Sequence, residues 1–179
     1  RGLTGIHLHN PTPTMLYALR CLPAAFVRLD ADIPDLATVV RTVAQEAPGQ
    51  LHLRIPPSVA SQRTSLASIA EEIGPFVDVW EVAGVDSATE YAAIAGDIRR
   101  GRPGARIAVR VSAARDAIPL LRSGAELQPD VLVVSPDVVE AVEQATQRAG
   151  FEGVSLLVEF NPNLGADADA PGYVPRLLR

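Results

Sequence analysis

The chain has 179 residues, enough for one domain with a substantial core and too few for two of ordinary size. Apolar residues make up 47% and charged residues 21%, and the net charge is -5 with no basic run, which argues against nucleic acid or an anionic membrane as partner. All 16 basic residues are arginine, so mechanisms that need a lysine amine (Schiff-base aldolases, PLP enzymes, P-loop nucleotide binding) are excluded.

Strand-like and helix-like stretches alternate along the whole chain. "LTGIHLH" reads as the first strand, with Ile6 and Leu8 on one face and His7 and His9 on the other. The single Cys21 supports neither a disulfide framework nor a thiolate metal cluster, and is expected to be a small buried hydrophobe. "AAFVRLD" follows, with Val27 and Leu29 opposite Arg28 and Asp30. Asp32 with Pro34 is the expected start of the helix "DLATVVRTVAQEA". "QLHLRIP" sets Leu51, Leu53 and Ile55 against His52 and Arg54. "VDVWEVA" is ambiguous between two faces, and Glu81 is assigned inward because Trp80 suits a position under a helix.

Ser87 and Glu90 form a capping-box pattern ahead of "YAAIAGDIRR". "ARIAVRV" gives Ile107, Val109 and Val111 against Ala108 and Arg110. The helix "AARDAIPLLRSG" is expected to break or kink at Pro119. "DVLVVS" is followed by a helix opened at Ser135-Pro136 and closed by Gly150. "GVSLLVEF" ends the series with Glu159 on the polar face, and Asn161 lies just beyond. The closing "YVPRLL" makes a poor strand because of Pro175.

Strict alternation implies a parallel sheet with right-handed crossovers. Central strands of an open doubly wound sheet are apolar on both faces, and repeated charges there would be buried without partners. A barrel instead opens its inner face to solvent at the C-terminal mouth. The expected fold is therefore α/β: a compact TIM-like (β/α) barrel spanning residues 1–179 as one domain, with seven clear strands and a weak or missing eighth. A full barrel typically takes about 200 residues or more. The start at Arg1 rather than Met is what a piece cut from a longer chain would show. No apolar run reaches membrane-spanning length and no signal peptide is recognisable, so the chain reads as soluble with its compartment open.

The inward set is His7, His9, Arg28, Asp30, His52, Arg54, Arg110 and Glu159. His-x-His on a first barrel strand resembles the amidohydrolase metal pair, yet no histidine follows His52, and Arg28 and Arg54 would repel a cation. The expectation is no metal and no cofactor. Three arginines in one mouth suit an anionic ligand, or alternatively pair internally with Asp30, Glu81 and Glu159.

Two segments carry a family resemblance. "VEFNP" resembles the strand-seven end of the (β/α)8 glycoside hydrolase superfamily of the clan A type. "VWEVAGVDSATEYAAIAGDIRRGRPGARIAV" resembles its strand-four region in layout. The resemblance implies Glu159 as nucleophile. The family's Asn-Glu pair falls on Gly84 and Val85, leaving Glu81 or Asp86 as substitute acid/base, while a retaining glycosidase needs its carboxyls about 5–5.5 Å apart. The expected function is thus a glycoside-hydrolase-like barrel that binds a carbohydrate or similar small polar ligand through His7, His9, Arg28, Asp30, His52, Arg54, Arg110 and Asn161. Two alternatives stand beside it: a structural or interaction domain of a larger assembly, and an active barrel hydrolase using histidine and carboxylate residues.

Overall fold

The computed structural model describes residues 5–124, 126–151, 154–159 and 177–178. Seven parallel strands pair in sequence order: β1 (Gly5–Leu8), β2 (Phe26–Asp30), β3 (Gln50–Ile55), β4 (Val79–Val82), β5 (Ile107–Val111), β6 (Val131–Val134) and β7 (Ser155–Val158). All seven lie inside the stretches read as strands. Each crossover carries helix: α1 (Pro13–Ala18), α2 (Leu36–Glu46), α3 (Pro57–Ala60) with α4 (Arg63–Ile73), α5 (Ala88–Gly101), α6 (Ala114–Leu121) and α7 (Val139–Arg148). The sheet curls as a partial (β/α) barrel. The weak eighth strand is a two-residue segment, β8 (Leu177–Leu178), antiparallel to β7, and no ladder among the described residues joins it to β1.

Period-two alternation divides the core into two layers. Leu29, Leu53, Ile55, Trp80, Ile107 and Leu132 are fully buried on the outer face beneath the helices. Burying each such side chain contributes about 1.5–3 kcal/mol. The inner face has its own apolar cluster of Phe26, Val79, Ala108, Val131, Val133 and Leu157. Gly5 is required here: a Cβ on it would lie 2.0 Å from Cζ of Phe26, so the absent side chain admits the Phe26 ring. That ring stacks on His52 with centroids 4.5 Å apart. Above this apolar plug, toward the strand C-termini, the inner face turns polar.

Several local expectations shift. Helix α2 starts at Leu36, one residue into the stretch read as helical, with Asp35 as N-cap in the left-handed conformation (φ 53), its Oδ1 accepting from Thr38 Oγ1 at 3.1 Å. Ser87 caps α5 as read, accepting from the Glu90 N–H at 3.1 Å, while Glu90 reaches past it to the Asp86 N–H at 3.0 Å. Helix α7 begins at Val139, since Ser135 first closes a turn whose carbonyl accepts from the Val138 N–H at 3.2 Å. Gly150, at φ 77, ends it as expected. Pro119 does not break α6: the helix runs on through Leu121, held by buried Ala117, Leu120 and Leu121. Cys21 is exposed rather than buried, on a short 3-10 turn after α1.

Candidate functional site

Register decides which side chains meet. His7 lies opposite Arg28, Arg28 opposite His52, Asp30 opposite Arg54, and Arg54 opposite Glu81. All project from the inner face, so strands β1 to β4 bring them into one polar layer, which β5 and β7 complete with Arg110 and Glu159. Glu81 points inward and Trp80 packs outward, resolving the ambiguity of β4.

Arg28 is the centre of this layer. Its side chain is 3% exposed, with Nη1 2.5 Å from Oε1 of Glu159 and Nη2 2.8 Å from Oε2 of Glu81. The Glu81 contact falls outside hydrogen-bond angles, so that carboxylate is held by charge rather than by a donated N–H. Arg110 also pairs with Glu159, and lies 3.9 Å from Oε1 of Glu81. On the other side, Asp30 Oδ1 accepts from Arg54 Nη1 at 3.2 Å. Its Oδ2 lies 3.2 Å from His7 Nε2 and 3.0 Å from His9 Nδ1. The two imidazoles themselves are 3.9 Å apart, centroid to centroid. The internal pairing of Arg28, Arg54 and Arg110 with Asp30, Glu81 and Glu159 is therefore what the structure adopts.

Burial pushes the His7 imidazole down to about 4, against the opposing pull of Asp30. Burial likewise pushes His52 down to about 4, helped by the positive charges of Arg28 and Arg106. Both rings are neutral at pH 7. For His52 the consequence for stability has a definite sign. A histidine whose folded pKa lies below its unfolded value of about 6.5 binds fewer protons folded than unfolded, so stability is full above that value and falls as pH drops through it. About 2 kcal/mol is expected to be lost between pH 7 and pH 5 through this residue. Urea unfolding of the wild type and His52→Gln at both pH values measures it. The gap between the two proteins should shrink by that amount on acidification, and a gap independent of pH would refute the assignment.

Asp86 stands apart from this layer. It sits in the loop before α5, exposed, and lines a cavity of about 400 Å³ with Ser112, Arg115 and Asp116 at the ends of β4 and β5. Arg110 also lines that cavity and so joins it to the mouth. The Asp86 backbone N–H belongs to the α5 cap, where it donates to Glu90 Oε2. Asn161 lies outside the described residues. The sequence reading missed Gln50, whose Oε1 is 3.5 Å from His52 Nε2, and Arg106, which acts on His52 through charge. Gln50 was within reach, since it falls on the same face of β3 as His52.

No family model and no curated protein matches the sequence. Solved structures do match the fold. An HpcH/Hpal aldolase/citrate lyase family protein from Burkholderia cenocepacia J2315 superposes with TM-score 0.57 at 16% identity, covering 88% of this chain and 79% of that one. A type I 3-dehydroquinate dehydratase from Clostridium difficile, with a covalently modified comenic acid, superposes with TM-score 0.59 at 10% identity, covering 88% and 74%. These likenesses establish the (β/α)-barrel architecture. They also overturn the glycoside-hydrolase expectation: the barrels this chain is similar to are an aldolase/lyase and a dehydratase, and neither hydrolase character nor carbohydrate binding is supported. The short "VEFNP" match reflects a glutamate at the end of a barrel strand, a place many unrelated barrels use. Among the described residues no helix is long and apolar enough to cross a membrane.

Proposed function

We propose that the chain is a lyase-type barrel enzyme that acts on a small carboxylate at the C-terminal mouth of its strands. The observation that carries this reading is the ring of guanidinium groups there: buried Arg28 flanked by the partly exposed Arg54 and Arg110. Guanidinium groups bind carboxylates through paired, charge-assisted hydrogen bonds. Citrate and dehydroquinate, named in the two similar structures, are both carboxylates.

The absence of lysine directs the chemistry. A Schiff base with a substrate carbonyl needs a lysine amine, so cleavage or elimination here proceeds by proton transfer and charge stabilisation instead. Arg54 and Arg110 exchange part of their pairing with Asp30 and Glu159 for the substrate carboxylate. The group formed by His7, His9 and Asp30 then meets the carbonyl and the proton beside it. Glu159 and Glu81 keep Arg28 fixed and the mouth close to electrical neutrality.

Calorimetric titration with citrate and a panel of small hydroxy- and oxo-acids tests the substrate class. At least one acid should bind, and Arg54→Gln should weaken it about 10–100-fold, the worth of one hydrogen bond between charged groups. Binding of neutral sugars with no binding of acids would overturn the reading.

A further inference from the structure

Two imidazoles and one carboxylate converge at the mouth on the atoms that would ligate an ion. His7 Nε2 and His9 Nδ1 lie 3.2 and 3.0 Å from the same oxygen of Asp30, and one donor atom from each of the three residues falls within 4.8 Å of the others. Ligands bound at about 2.0–2.2 Å around a zinc-like cation stand about 2.8–3.6 Å apart along the edges of an octahedron or tetrahedron, and both His–Asp separations fall in that span. The His9 contact does not meet hydrogen-bond geometry, so a hydrogen bond does not account for its closeness. Arg54 takes the other Asp30 oxygen at 3.2 Å, which fixes the carboxylate with Oδ2 turned to the two rings, as an outer-shell partner does.

Charge was the sequence-level objection to a cation here, and the ion pairs answer much of it. Arg28 is offset by Glu81 and Glu159, and Arg54 by Asp30. We infer that His7, His9 and Asp30 form a binding site for a divalent cation of the zinc or cobalt class, with coordination positions left open at the barrel mouth. Nitrogen and oxygen donors in this mixture suit such ions better than magnesium or calcium. Three protein ligands leave room for an oxygen of a bound anion, whose charge the cation would complement. The cation's part in chemistry, polarising a substrate carbonyl, rests on the proposed lyase function; its binding does not.

The test uses untagged protein carrying Cys21→Ser, which removes the only thiol and leaves three histidines in the sequence. Calorimetry with zinc and the visible absorption of added cobalt read occupancy without any substrate. One equivalent should bind. His9→Gln, at a side chain 67% exposed and so harmless to folding, should weaken binding at least about tenfold, since losing a ligand costs no less than losing an outer-shell partner. His7→Gln should do the same, and Glu72→Gln, in an exposed surface pair with Arg41 away from the mouth, should leave metal affinity unchanged. A folded wild type that binds neither ion, or binding indifferent to His9→Gln and His7→Gln, would overturn the site. Metal bound with no acid bound would sink the lyase reading and spare this one; acid bound without metal would do the reverse.

Discussion

Arg28→Met is expected to lower the unfolding free energy by about 3–5 kcal/mol, the cost of leaving a buried charge without its partner. Glu81 is 1% exposed, and its nearest cation after Arg28 is Arg110 at 3.9 Å. Once Arg28 is gone, Glu81 must take up a proton or stay charged away from water, and either outcome weakens the fold. The penalty belongs to the orphaned carboxylate rather than to the ion pair itself, which predicts rescue. Arg28→Met combined with Glu81→Leu should recover most of the loss, since a buried pair replaced by apolar groups of similar volume is often neutral. Arg41→Met is the comparison: its pair with Glu72 is exposed on both sides, and about 0–1 kcal/mol is expected. Denaturant unfolding of the four proteins measures all of this, and a loss below 1 kcal/mol for Arg28→Met would show that the network does not hold the mouth.

Gly101→Ala should cost about 3 kcal/mol, at the upper end of what overpacking does. Gly101 is the last residue of α5, where that helix crosses α4. A Cβ there would stand 2.0 Å from the backbone oxygen of Ala67 and 2.9 Å from Cβ of Ala70. Neither neighbour is the tip of a flexible side chain, so α4 itself has to move. Gly104 separates this from a purely conformational effect: it has φ 80 and nothing within 4 Å of a built Cβ. Gly104→Ala should therefore cost only the left-handed backbone term of about 1–2 kcal/mol. Thermal unfolding ranks the two variants, and a Gly101→Ala protein as stable as the wild type would contradict the packing of α4 on α5.

Alternation made the architecture legible. Arg28 against Val27 and Leu29, or His52 against Leu51 and Leu53, is the pattern of a strand with one face under helices and one facing a polar mouth; β6, Val131–Val134, departs from it and is apolar on both faces. What alternation cannot supply is register. Residue type leaves the histidines a choice between Asp30 and Glu159 as partner; that both His7 and His9 meet Asp30, beside Arg54 of β3, depends on the pairing of three strands separated by helices. Asp86 shows the opposite limit: a motif position does not reveal that β4 ends before it, in a loop recruited to cap a helix. The family resemblance erred in the same way, because "VEFNP" describes where a barrel strand ends and not what chemistry stands there. Pro119 shows that a local rule gives way when enough apolar surface on the same helix is buried.

The most direct test is whether the protein draws a proton from carbon. Small oxo-acids incubated with it in D2O and followed by proton NMR should lose the signal of the hydrogens beside the carbonyl, and His9→Gln should slow that exchange by about 10²–10⁴, the usual worth of a positioned acid–base group. No exchange across the panel by folded, zinc- or cobalt-supplemented wild type would contradict the account.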